Sequence, residues 1–244
     1  DSADLNGDGH LDYCVSNLGP IHCLLSDGLG GYFEAAQAMG LALPEVDGPQ
    51  AWMWSAYSLD LADYDNDGAL DLSVVAGPPN RDNPYPEHID MIFQGAPGGG
   101  FIDRTEQLGF GDPRRHFSLA SADLDADGAL DMIISGSEGR PVLWMNQCTP
   151  GSFLELSLVG SGQNAQAFGA VVRLTAGGQT QIRELYTLRS IGQGPARLHF
   201  GLGDAEIVDL LEVVWPDGAR SVAESVPGRQ RVTVRHPDLP AEGG

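Results

Sequence analysis

The sequence predicts an all-β protein, a partial β-propeller of about three blades followed by a small antiparallel β domain, and three observations carry that reading. A nine-residue acidic pattern recurs as DLNGDGHLD at residues 4–12, DYDNDGALD at 63–71 and DLDADGALD at 123–131. Each copy runs into an apolar, β-branched stretch of strand length: LDYCVS, LDLSVVAG or LDMIIS. The copies begin 59 and then 60 residues apart, a period that holds one four-stranded sheet with its loops. Closed propellers need about four to eight blades, so the visible one is partial and the chain reads as a fragment.

The first repeat begins at its acidic loop, so its own first strand is largely missing. In the second repeat, strands are expected at 55–61, 70–76, 89–94 and 100–104, with the acidic loop joining the first two. The third supplies 117–122, 130–135 and 141–146, without a clear fourth strand. An open blade edge exposes unpaired backbone groups and invites association, so further blades are expected before Asp1. These repeats occupy residues 1–148. A Gly/Pro/Thr break, QCTPGS, then opens a second domain at 151–236, where alternation marks strands at 153–159, 171–174, 182–186, 210–215 and 231–234. Residues 237–244 read as a tail.

Within each loop, oxygen side chains fall at positions 1, 3, 5 and 9, and Gly stands at position 6 where the backbone turns sharply. That pattern suits a hard cation, and Ca²⁺ more than Mg²⁺, which dehydrates reluctantly. The helix-loop-helix calcium hand is excluded, because Val15, Val74 and Ile134 stand where it needs a bidentate Glu. The expected ligands are Asp4, Asn6, Asp8, the carbonyl of His10 and Asp12 in the first loop. In the second they are Asp63, Asp65, Asp67, the carbonyl of Ala69 and Asp71. Asp123, Asp125, Asp127, the carbonyl of Ala129 and Asp131 fill the same roles in the third. The alternative is ordinary Asp-Gly and Asn-Gly turns. Three copies in one register, each with three or four carboxylates in nine residues, repel themselves without a cation, which favours about three Ca²⁺.

Thirteen Arg and no Lys face 34 acids, for a formal charge of −21, so nucleic acid is an unfavourable partner. Three Ca²⁺ would bring that charge to −15. No stretch approaches the roughly 18 apolar residues of a membrane span. Loops of this type suit extracellular calcium, where Kd values of about 10⁻⁴–10⁻³ M suffice. Cys14 and Cys23 are symmetric about a candidate turn at Leu18-Gly19; they form either a disulfide, after local adjustment, or a pair of buried thiols, and Cys148 is left over.

The acidic loops with their following strands resemble FG-GAP/VCBS repeats, the blades of integrin-type β-propellers. NAQAFGAVVRL at 164–174, RLHFGLGD at 197–204 and VVWPDG at 213–218 resemble the ASPIC/UnbV domain of the cartilage-acidic-protein-like family. The segment YTLRSIGQGPA at 186–196 departs from the Gly-aromatic-Ser pattern of that family. The resemblance implies an extracellular, calcium-dependent propeller followed by a β module, usually without demonstrated enzymatic activity.

Catalytic motifs are missing: there is no phosphate-binding loop, no HExxH, no paired CxxC, and SGSEG at 135–139 lacks the first Gly of a nucleophile elbow. His199 reads as a hydrogen-bonded core histidine rather than a catalyst. Trp52, Met53 and Trp54 could stack on a sugar, with packing between blades as the alternative, and PRRH at 113–116 is the one compact basic cluster. The expected function is a calcium-stabilised, extracellular or cell-surface binding or adhesion protein, without catalysis, whose partner is a protein or glycan. The alternatives are an accessory part of an enzyme of polysaccharide breakdown or secondary metabolism, with its chemistry elsewhere, and a plain spacer.

Overall fold

The computed structural model describes residues 1–17, 19–41, 55–77, 89–137, 139–147, 151–186 and 192–240. Trp52, Met53, Trp54 and Cys148 lie outside them. Three antiparallel meanders follow the three acidic repeats. The first contains β1 (Ser2–Ala3), β2 (Asp12–Val15), β3 (His22–Ser26) and β4 (Tyr32–Glu34) in that order. The second contains β5 (Ala56–Ala62), β6 (Asp71–Ala76), β7 (Met91–Gly95) and β8 (Phe101–Asp103), followed by the short helix α1 (Thr105–Leu108). The third is built from β9 (His116–Ala122), β10 (Asp131–Gly136) and β11 (Val142–Trp144). The acidic loops join the first strand of each sheet to its second, as expected.

Burial explains why the strand sequences differ between repeats. All six residues of β6 are buried, because sheets one and three cover both of its faces, and DLSVVA carries apolar side chains on each. In β2 burial alternates, leaving Tyr13 and Val15 exposed beside Tyr32, with Tyr13 and Tyr32 edge to face at 5.5 Å. Ile133 and Leu143 of the third sheet are likewise uncovered. One apolar cluster joins sheets one and two through Leu25, Leu41, Leu72 and Phe101, and another joins two and three through Val75, Ile92, Phe110 and Ile134. Cys14 and Cys23 are paired across β2 and β3 and bridged by a disulfide, their Cα atoms 4.1 Å apart.

Residues beyond 151 form seven strands: β12 (Ser152–Val159), β13 (Val171–Ala176), β14 (Gln179–Glu184), β15 (Arg197–Gly203), β16 (Ile207–Val214), β17 (Arg220–Pro227) and β18 (Gln230–Arg235). They make two sheets, ordered β15-β12-β18 and β14-β13-β16-β17, around a core of Leu156, Val172, Phe200, Val213 and Trp215. The chain is therefore all-β in a β-propeller-type arrangement, with five sheets among the described residues where the sequence predicts about three blades and a small β domain. The count from sequence is too low because two sheets share the terminal core, and the acidic pattern marks neither. Nor is the terminal stretch purely antiparallel, since β18 runs parallel to β12. β17 escapes the sequence reading because RSVAESVP is mostly exposed and lacks clear alternation.

Candidate metal centres

The three loops share one hydrogen-bond frame. The first-position carboxylates of Asp4, Asp63 and Asp123 accept, through Oδ2, the N–H of the sixth-position glycines Gly9, Gly68 and Gly128 at 2.9, 2.9 and 3.0 Å. Those glycines have φ of 90°, 94° and 94°, a left-handed backbone that side chains with a Cβ resist. Fifth-position Asp8, Asp67 and Asp127 accept the N–H of His10, Ala69 and Ala129 at 2.9, 2.7 and 2.8 Å.

Ninth-position Asp12, Asp71 and Asp131 brace the loops from below. Each accepts through Oδ2 the N–H of the second loop residue, Leu5, Tyr64 or Leu124, at 2.9 Å. Through Oδ1 each accepts an N–H from the far side of its sheet, that of Ser26, Gly95 or Asn146, at 2.8 Å. These three carboxylates are almost fully buried and tie the loop to its own sheet.

Carboxylates converge most closely in two of the loops. Ligand oxygens of Asp63, Asp65 and Asp71 lie within 4.8 Å of one another, as do those of Asp123, Asp125 and Asp127. The first loop, with Asn6 at its third position, forms no such three-carboxylate group among the described residues, and Asn6 donates instead to Asp8 Oδ2 at 3.0 Å. Of the residues expected to offer carbonyls, His10 is exposed, Ala69 half-buried and Ala129 buried.

The donor set is oxygen only and suits a hard cation. Its electrostatics point the same way. Burial, with the neighbouring Asp67 charge adding, pushes the Asp63 carboxyl up to about 7, and burial pushes that of Asp71 up to about 8. Burial also raises Asp12 and Asp67. Without a positive charge these groups resist ionisation; a dication beside them restores it.

The pH dependence follows. Asp63 and Asp71 bind protons more tightly in the folded chain than at the ordinary Asp value of 3.8, so the folded state carries extra protons between the two. Cation-free protein therefore loses stability as pH rises from about 4 until the two groups have ionised, at about 7 and about 8. We expect a lower melting temperature in EDTA at about pH 8 than at about pH 6, and the reverse trend in saturating Ca²⁺, whose binding needs ionised carboxylates. Differential scanning fluorimetry decides it; an EDTA melting point that climbs from the lower to the higher pH contradicts the assignment.

His199, expected as a hydrogen-bonded core histidine, joins residues that the sequence did not single out, Asn66, Gly201 and Arg231, in closing over the second and third loops. Asn66, at φ 59°, donates through Nδ2 to Gly128 O at 2.9 Å. Because its Oδ1 is thereby the acceptor, His199 donates to it from Nε2 at 2.7 Å. Burial and Arg183 push the His199 imidazole down to about 4, so it is neutral, and it stacks on Phe153 at 5.8 Å. The backbone N–H of Gly203 donates to Asn66 O at 2.8 Å. Gly201 lies so close that a Cβ there would overlap Asp63 Oδ2 and stand 2.6 Å from Asn66 Cα. At the third loop, Arg231 bonds Asp123 Oδ2 at 2.8 Å and Glu155 at 2.7 Å, and Arg197 meets Glu155 at 2.8 Å. Glycine inside a strand marks a close backbone approach, and GLG within RLHFGLGD was the available signal.

The basic cluster at 113–116 is paired internally: Arg114 with Asp112 at 2.5 Å, and His116 with Asp90 at 2.5 Å, while Arg115 lies over Phe117. No helix among the described residues is long and apolar enough to cross a membrane.

Fold and loops define a β-propeller-type repeat protein, two of whose acidic strand junctions are clasped by a second β module. Family models agree: the FG-GAP-like repeat matches residues 4–74 and 63–134, more than half of the chain, and the ASPIC and UnbV model matches 160–241. The chain belongs to the FG-GAP-like repeat family and carries an ASPIC/UnbV domain. Comparison with curated proteins gave no match.

Proposed function

We propose that the protein is a calcium-stabilised binding module that works outside cells or at their surface and engages a protein or glycan partner without catalysing a reaction. The observation that carries this reading is the hydrogen-bond frame repeated in three loops, with three carboxylates converging at the start of the second strand in the second and third of them. Asp63, Asp65, Asp67 and Asp71 would hold one ion, with the Ala69 carbonyl; Asp123, Asp125, Asp127, Asp131 and Ala129 a second; and Asp4, Asn6, Asp8, His10 and Asp12 a third. A bound ion supplies positive charge that offsets repulsion among three or four carboxylates. The proposed functional units are 1–148, which holds the acidic repeats, and 151–236, with 237–244 as a tail. Location outside the cytosol is supported by the Cys14–Cys23 disulfide, since such bridges persist in oxidising compartments.

Isothermal calorimetry of the cation-free protein with Ca²⁺ tests the reading. The expected stoichiometry is three, with sub-millimolar Kd and the second loop tightest, because its acids are the most buried. Absence of heat up to about 10 mM Ca²⁺, ten times the weak limit for extracellular modules, rejects it.

A further inference from the structure

The first two sheets continue into the same turn, residue for residue. After β4, the N–H groups of Met39, Gly40 and Leu41 donate to Ala35, Gln37 and Ala36; after β8, those of Leu108, Gly109 and Phe110 donate to Arg104, Glu106 and Thr105. Leu108 is thus the counterpart of Met39, and Phe110 of Leu41. Their surroundings differ. Met39 is 8% exposed, because β8 of the next sheet crosses it: Phe101 donates its N–H to Met39 O at 2.7 Å and buries its ring in the cluster that holds Met39 and Leu41. Leu108 is 58% exposed, since the next sheet has three strands among the described residues and no fourth to cross it.

In place of that strand lies a cleft of about 400 Å³, with Leu108, Phe110, Met132, Trp144 and Met145 on its apolar wall, bordered by Asn146 and by Asp65 and Asp71 of the second acidic loop. It continues the packed interface between the second and third sheets, where Phe110 and Trp144 stand 5.3 Å apart. The indole N–H of Trp144 is buried without a hydrogen-bond partner. Register fixes the opening further. Gly95 and Asn146 play equivalent parts, each donating its N–H to the ninth-position Asp of its loop, and Phe101 pairs with Gly95.

We propose that this cleft is a strand-acceptor site: it takes an extended segment of a partner protein that pairs along β11 and sets one aromatic side chain, opposite Asn146, over Leu108 and Phe110. Open sheet edges flanked by an apolar pocket recognise peptides in this mode, with backbone pairing for affinity and the pocket for specificity. The proposal goes beyond the calcium reading; because Asp65 and Asp71 border the cleft, the titration is run both with Ca²⁺ and in EDTA, and binding in EDTA shows that the cleft acts without an ion.

The probe is a fluorescent synthetic peptide, PGGGFIDRTE, copying residues 97–106, whose Phe already fills the equivalent place one sheet earlier. Anisotropy titration should show saturable binding, and hydrogen exchange should show new protection at residues 142–146. A peptide carrying Phe101→Ala should bind about tenfold more weakly or worse, the order expected for losing a buried aromatic. Leu108→Glu, at an exposed position that leaves the fold intact, should weaken binding by a similar factor. Any of three results overturns the proposal: no saturation up to about 1 mM peptide, equal binding of the Phe and Ala peptides, or protection confined to another edge. Self-association of the protein that protects 142–146 without peptide would give the cleft to a second copy, and would overturn it too.

Discussion

EDTA is expected to lower the melting temperature of protein incubated with Ca²⁺ by about 5–10 °C for each site held at a hundredfold excess over its Kd. The figure follows from linkage: a ligand at that excess stabilises the folded state by about 2.7 kcal/mol, and a chain of this size shifts by about 2–4 °C per kcal/mol. Calorimetric scans with and without chelator give the shift. Hydrogen exchange should place the loosening at the N–H groups of Leu5, Tyr64 and Leu124, which the ninth-position carboxylates hold. The second loop is expected to dominate, because Asp63 and Asp71 are 1% and 3% exposed and cannot shed their mutual repulsion to water. A chelated protein with the same melting point and the same exchange pattern would leave the loops as ordinary turns.

Gly201→Ala carries the second large effect. β15 passes the second loop with no room for a methyl group, which would overlap the Asp63 carboxylate and press on Asn66. Overpacking of this kind costs about 1–3 kcal/mol, and more where backbone must move. Here the obstruction includes Asn66 backbone, which also receives the Gly203 N–H. We expect a melting temperature lower by about 4–10 °C, weaker Ca²⁺ binding at the second loop, and faster exchange at Gly203. A variant that melts within about 1 °C of the parent would show that the clasp between module and loop contributes nothing to stability.

Much of this architecture can be read in the chain before any coordinates. In the second repeat every strand appears close to where alternation and the acidic loop place it; the loop ends β5 and starts β6, and LDLSVVA is apolar on both faces. The shared hydrogen-bond frame of the acidic loops is legible too: Asp-x-Asp/Asn-x-Asp-Gly fixes the spacing of its carboxylates within one turn of backbone. The covering of two of those loops by a distant segment is not. Asn66 meets His199 across 133 residues, and Arg231 meets Asp123 across 108, and neither partner carries a local pattern that names the other. β17 leaves no period to detect, because its side chains are mostly exposed along the whole strand. The parallel pairing of β12 with β18 is set by how the terminal core closes, which alternation within either strand does not encode.

The brace formed by Asp12, Asp71 and Asp131 has a consequence for biogenesis. Since each of these acids already satisfies two amides of the polypeptide, every bend has an internal template. If the proposed ions bind, newly made chain can thus take up its shape before meeting them, and they would add rigidity only afterwards.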